Sequence, residues 1–211
     1  MNIPTTPRTL SELLADLQAH ITTPTISVRD LLSAFHERGF GFFLFLFALP
    51  AALPIPAFGI NTIIALPLLL LTVQQAIGRH TIWIPEKWKD KTIKQDSVNG
   101  FIEKAAPWIK RIEFFIRPRL GFITQGHMSK FIGLLGFFMA LAVSIPLPLT
   151  NTIPSFGIAL MSIGILMRDG LAVLAGAVIG LAWIALLVGF VVIFGPEGFD
   201  MVKEFIKGLL P

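Results

Sequence analysis

The chain has 211 residues, of which 54% are hydrophobic and only 14% are charged, with a net charge of +4. A soluble domain carries about 25% charged residues, so lipid is the solvent for much of this sequence. The absence of cysteine excludes disulfides, thiolate metal sites and a cysteine nucleophile.

Residues 1–38 lack an apolar run ahead of a small-residue cleavage site and do not read as a signal peptide. They read as two amphipathic helices. Leu10, Leu13, Leu14, Leu17 and Ile21 follow one helical face, with Thr9 and Glu12 as a capping box. Beyond the Thr-Thr-Pro-Thr break, Val28, Leu31, Leu32 and Phe35 repeat the pattern behind Ser27 and Asp30. This pair either packs on a membrane-embedded core or lies on the membrane surface as an anchor.

Residues 39–53 form an apolar run of about 15, roughly 22 Å as a helix, short of the ~30 Å hydrocarbon core. Then come Pro54-Ile55-Pro56 and, four residues on, Asn61-Thr62-Ile63. Proline lacks the N–H and pushes the residue before it out of the helical region, so the Pro-x-Pro ends a helix. Asn61 and Thr62 are suited to cap the next one, 61–78, with a possible kink at Pro67. Residues 39–78 are therefore a first broken-helix unit.

Residues 79–130 are a polar, basic connector containing 11 of the 17 Lys and Arg. Val98, Phe101, Ile102, Ala105, Ile109, Ile112 and Ile116 draw one apolar helical face across it, interrupted at Pro107. Trp83, Trp88 and Trp108 are placed as interfacial anchors. The connector reads as helices in the headgroup region.

The second unit, 131–170, repeats the first: an apolar run at 131–145, then Pro146-Leu147-Pro148, then Thr150-Asn151-Thr152 opening 153–167. The short segments either cross a thinned bilayer or form re-entrant hairpins. Residues 171–195 differ, being long enough for a complete transmembrane helix. The tail, 196–211, has apolar residues at helical spacing. The expected fold is thus an all-α, polytopic membrane protein: two similar broken-helix hairpin units, interfacial amphipathic helices and one long final transmembrane helix.

A broken pair returns the chain to its starting side. Residues 1–38, 79–130 and the Arg168-Asp169 turn then share one side, with 15 of the 17 Lys and Arg. By the positive-inside rule that side is the cytoplasm, and the tail is periplasmic.

Two groups could bind an anion. Asn61, Thr62, Thr150, Asn151 and Thr152 sit where half-helix N-termini would meet near the midplane, as in transporter sites. The alternative is that they only satisfy the broken backbone. Arg117-Pro118-Arg119 and Arg168-Asp169-Gly170 are basic elements at the membrane edge. They offer a seat for an anionic lipid head group, or else ordinary positive-inside charge and a capped turn. The histidines have no partner at ligand spacing, and no phosphate loop or hydrolase motif appears. No metal, cofactor or nucleic acid is expected, and an enzyme is disfavoured. The phenylalanines at 40, 42, 43, 45 and 47 exceed what one thin bundle would bury, which points to a homodimer, with lipid as the alternative cover.

Several of these pieces resemble the ExoD family of bacterial exopolysaccharide-synthesis membrane proteins. They are Pro54-Ile55-Pro56, the run Leu66-Pro67-Leu68-Leu69-Leu70-Leu71, Gly78-Arg79, Arg117-Pro118-Arg119-Leu120, Pro146-Leu147-Pro148 with Thr150-Asn151-Thr152, and Arg168-Asp169-Gly170. The resemblance runs from about residue 27 to 195 and rests on their order and spacing. It implies a bacterial inner-membrane protein connected with exopolysaccharide production and supplies no catalytic residues. The expected role is to bind or translocate an anionic lipid-linked carrier or a small anionic substrate. The alternative is a non-transporting scaffold for polysaccharide-synthesis enzymes.

Overall fold

A computed structural model describes residues 9–20, 24–35, 38–53, 60–145 and 151–195, with Glu197, Gly198, Met201, Glu204 and Gly208 beyond them. The described chain is mostly helical. In order it forms α1 (Leu10–His20), β1 (Thr25–Ser27), α2 (Val28–Phe35), α3 (Gly39–Ala52), α4 (Ile60–Ala76), α5 (Glu86–Lys89), β2 (Thr92–Lys94) and α6 (Gln95–Phe115). A 3-10 turn at Gly121–Thr124 leads into α7 (Gly126–Ser144), α8 (Thr152–Met167) and α9 (Gly170–Phe194). Pro54, Pro56, Pro146, Pro148 and Thr150 lie outside the described residues, as does most of the tail.

Two helices, Gly126–Ser144 with 19 residues and Gly170–Phe194 with 25, are long and apolar enough to cross a membrane. The first begins ahead of the apolar run at 131, because Gly126-His127-Met128-Ser129-Lys130 supplies its opening turn. The two strands were not expected. Thr25–Ser27 pairs antiparallel with Thr92–Lys94, each placing a β-branched isoleucine between polar residues, and so ties the N-terminal segment to the connector.

Both amphipathic helices begin as their sequences imply. The Thr9 N–H donates to Glu12 Oε2 at 2.9 Å, and the Glu12 N–H donates back to Thr9 Oγ1 at 3.2 Å. Ser27 and Asp30 exchange the same pair of bonds at the start of α2. The Ser27 hydroxyl also donates to Asp30 Oδ2 at 2.6 Å, and this bond, then that from the Ser27 N–H, holds the Asp30 carboxyl below the ordinary carboxylate value. Glu113 of α6 accepts from both the N–H and the hydroxyl of Ser11, at 2.6 and 2.7 Å, fixing α1 on α6. Leu10, Leu14 and Leu17 of α1 bury there with Ile102 and Ile109 of α6.

The apolar helices pair crosswise: α4 packs along α7, α3 along α8, and α9 along α8. Small residues permit the close approaches. A Cβ on Gly133 would strike the Ala76 nitrogen and sit 2.8 Å from the Gln75 carbonyl carbon. A Cβ on Gly41 would sit 2.9 Å from the Ser162 carbonyl oxygen. Polar groups buried between these helices are satisfied locally. Thr72 Oγ1 donates to the Leu68 carbonyl at 2.8 Å, and Ser162 Oγ to that of Ile158 at 2.6 Å.

Phe40, Phe42 and Phe43 are buried within the chain, Phe42 stacking on Phe35 with ring centroids 3.8 Å apart. Phe45 and Phe47 are half-buried. The surplus of exposed phenylalanine that pointed to a homodimer is therefore absent from this stretch. α8 and α4 cover most of α3, and α2 meets it through Phe35 on Phe42.

Candidate functional site

The two basic elements of the connector and of the α8–α9 turn meet. α8 ends with Arg168 in the left-handed region (φ 55°), where the Asp169 N–H donates to the Gly164 carbonyl at 2.8 Å. Pro118 holds the Arg117–Arg119 segment extended, and it runs beside the turn as a short parallel bridge. The Arg119 N–H donates to the Arg168 carbonyl at 3.2 Å, and the Gly170 N–H to that of Arg119 at 2.7 Å. Gly170 permits this contact, since a Cβ there would lie 2.5 Å from the Leu120 carbonyl oxygen.

Asp169 sits under the bridge with no exposed surface. Its Oδ1 accepts from the Leu171 and Ala172 N–H groups at 3.0 and 3.2 Å, capping α9. Its Oδ2 accepts from the Arg117 N–H at 3.1 Å, and Arg119 Nε lies 3.1 Å from both oxygens. Three backbone N–H groups and the Arg119 guanidinium thus surround the buried carboxylate. It presents nothing to a ligand, so its geometry is that of a positioning residue.

The arginines face outward. The Arg119 side chain is 48% exposed and spends only Nε on Asp169. Its Nη groups have no protein partner among the described residues. Arg117 is exposed, its guanidinium 5.9 Å from the centre of the Phe114 ring, and Arg168 is exposed as well. Phe114, Phe115 and Phe122 stand exposed beside them. Three guanidiniums against one buried carboxylate leave this edge, at the N-terminal end of a 25-residue helix, with a net positive charge. The apolar ring beside it suits a membrane interface. Leu120 (φ 52°) and Arg168 are the two non-glycine residues with positive φ among the described residues, and both flank this bridge.

The other predicted group is only partly visible. Asn61 and Thr62 lie on the first turn of α4, but their side chains are outside the described residues. Thr152 opens α8 behind Asn151, which is buried yet makes no side-chain capping bond; its backbone carbonyl instead accepts from the Ser155 N–H at 3.0 Å. Ser155 Oγ is buried with no hydrogen-bond partner among the described residues. Sequence reasoning missed the pairing of Arg119 with Asp169. The one local sign was an acid directly before a glycine at the start of a long apolar helix, good N-cap chemistry in itself.

This fold and site define a helical, membrane-associated protein with a cationic edge. The chain belongs to the ExoD family: the family profile described as "Exopolysaccharide synthesis, ExoD" matches residues 10–189. It is 33% identical over 188 residues to an uncharacterized protein of Synechocystis sp., covering 87% of this chain and 89% of that one. It is 32% identical over 173 residues to Protein ExoD of Rhizobium meliloti, covering 80% of this chain and 72% of that one. No solved structure matches. The family connects the chain with exopolysaccharide synthesis.

Proposed function

We propose that the chain is an integral inner-membrane protein of exopolysaccharide synthesis whose arginine site binds an anionic lipid-linked or small anionic substrate. Arg117, Arg119 and Arg168 hold the phosphate, and Asp169 positions them. The observation that carries this reading is strain: both left-handed non-glycine residues flank the one bridge that presents the three cations. Such conformations are costly and tend to persist where function needs them. In this reading Arg117→Gln with Arg168→Gln lowers polysaccharide output severalfold while thermal stability stays at wild-type level, since both side chains are exposed. Unchanged output in a normally folded double variant would overturn it and favour a scaffold that only positions synthesis enzymes.

We infer further that the two broken units are a structural duplication, multi-pass, with register +92 before the break and +90 after it. Support comes from matched features. Gly41 and Gly133 make the close crossings. Thr72 and Ser162 bond the carbonyl four residues back. Gly78 and Arg168, both with positive φ, end α4 and α8 through equivalent bonds, Arg79 N–H to Gln74 O and Asp169 N–H to Gly164 O. Translocation would use the half-helix starts at Asn61, Thr62, Asn151 and Thr152, where Ser155 Oγ is an available buried hydroxyl.

In this arrangement the N-terminus, the connector and the arginine site are cytoplasmic and the C-terminus periplasmic, as the charge distribution favours. Reporter fusions at residues 100 and 211 are expected to report opposite compartments. The same compartment for both would refute that topology.

A further inference from the structure

A cavity of about 690 Å³ opens beside α3 and α4, beneath the amphipathic layer. The duplication just proposed gives its position a meaning. α9 lies against Gly157, Met161 and Gly164 of α8 and against Met139 of α7, through Gly176, Val173 and Gly180. In the first unit the matching residues are Pro67, Leu71, Gln74 and Phe47, and all four line the cavity. The cavity therefore occupies the place that an apolar, membrane-embedded cylinder fills in the second unit.

Among the described residues the first unit has no such helix. Leu14 and Leu17 of α1 and Val98 and Ile102 of α6 line the side of the cavity formed by the amphipathic layer. The walls, among them Leu14, Leu17, Phe43, Leu46 and Leu71, are almost wholly apolar and suit a hydrocarbon chain.

The rim has headgroup chemistry. Trp83 and Trp88 are exposed there, as at membrane–water interfaces. The Trp83 segment is held in place by Gln74, whose Oε1 accepts from the Trp83 N–H at 2.6 Å and whose Nε2 donates to the Trp83 carbonyl at 3.2 Å. Lys91 lines the cavity with its Nζ 5.5 Å from the centre of the Trp88 ring. Nearby, Glu86 pairs with Lys89 and Arg29, and Asp90 with Arg29. The ion pair with Lys89, then that with Arg29, keeps Glu86 below the ordinary carboxylate value. Lys87, Lys91 and Lys94 carry no ion pair among the described residues, so the rim keeps a surplus of positive charge that attracts an anionic lipid.

We propose that this cavity holds an acyl chain of one anionic glycerophospholipid from the cytoplasmic leaflet, with its phosphate beside Lys91. The lipid completes the first unit as α9 completes the second. The inference rests on the two-unit register but not on the arginine site, so Arg117→Gln with Arg168→Gln keeps the lipid.

The full-length chain is reconstituted in vesicles of equal phosphatidylglycerol and phosphatidylcholine, extracted in mild detergent, and its retained lipid measured by native mass spectrometry. The wild type is expected to keep one phosphatidylglycerol per chain, at least fivefold over phosphatidylcholine. Leu46→Trp with Leu70→Trp, two lining positions, lowers retention about tenfold. Leu66→Trp, an exposed position on α4 outside the lining, keeps it. Should the double variant fail to fold by circular dichroism, Lys91→Glu decides the matter, because it leaves the cavity intact and should abolish the headgroup preference. A lipid-free wild type, a lipid-free dimer, equal retention of both lipids, or no effect of either variant would overturn the proposal.

Discussion

Asp169→Ala is expected to be among the most damaging single substitutions in the protein, lowering the stability of the detergent-solubilised chain by about 3 kcal/mol. The side chain it removes has no exposed surface and accepts from Arg117, Arg119, Leu171 and Ala172. Loss of the N-cap alone costs about 1 kcal/mol. Removing one partner of a buried ion pair costs about 3–5 kcal/mol, but Arg119 is half exposed and can turn to water, so the lower end applies. Asp169→Asn keeps a good cap and loses the charge, so it should fall between alanine and wild type. Arg119→Ala leaves the carboxylate its three backbone donors and should also be intermediate. Thermal unfolding of the four proteins side by side gives the order. An Asp169→Ala protein that melts with the wild type would mean the bridge is not holding the connector to α9.

How far the sequence revealed this arrangement depended on range. Features set within one turn of helix were legible: the Thr9–Glu12 and Ser27–Asp30 boxes, the extent of α9 and the apolar face of α6. The Arg119–Asp169 pairing spans 50 residues and follows from how α8 and α9 turn beside the connector. No local spacing encodes it. The β1–β2 ribbon was missed because three-residue strands leave no periodicity to read. The phenylalanine stretch misled for another reason: α3 is apolar on every side, so its sequence cannot say which faces meet protein and which meet lipid. α3 and α7 stop at Ala52 and Ser144, shortly before the Pro-x-Pro stretches of the sequence. The glycines that set the helix crossings passed unremarked, because an isolated glycine in an apolar run has no local signature of contact.

Those glycines carry the second large effect. Gly133→Val and Gly41→Val are each expected to destabilise the chain by about 2–3 kcal/mol or to prevent its accumulation. The obstacle at Gly133 is the backbone of Ala76 and Gln75, and at Gly41 the Ser162 carbonyl together with Leu166. Backbone cannot swing aside as a flexible side chain can, so α4 must separate from α7, or α3 from α8. In lipid the separation is not offset elsewhere, because helix association there depends on close van der Waals approach at small residues. Gly189 in α9 is the control. A Cβ there meets nothing within 4 Å, so Gly189→Val should leave the melting temperature near wild type. If the units are duplicates, the two damaging variants should match each other, since Gly41 and Gly133 sit at equivalent crossings 92 residues apart. A stable Gly41→Val protein beside an unstable Gly133→Val protein would show that the α3–α8 contact is dispensable, and the two units would no longer count as one structure built twice.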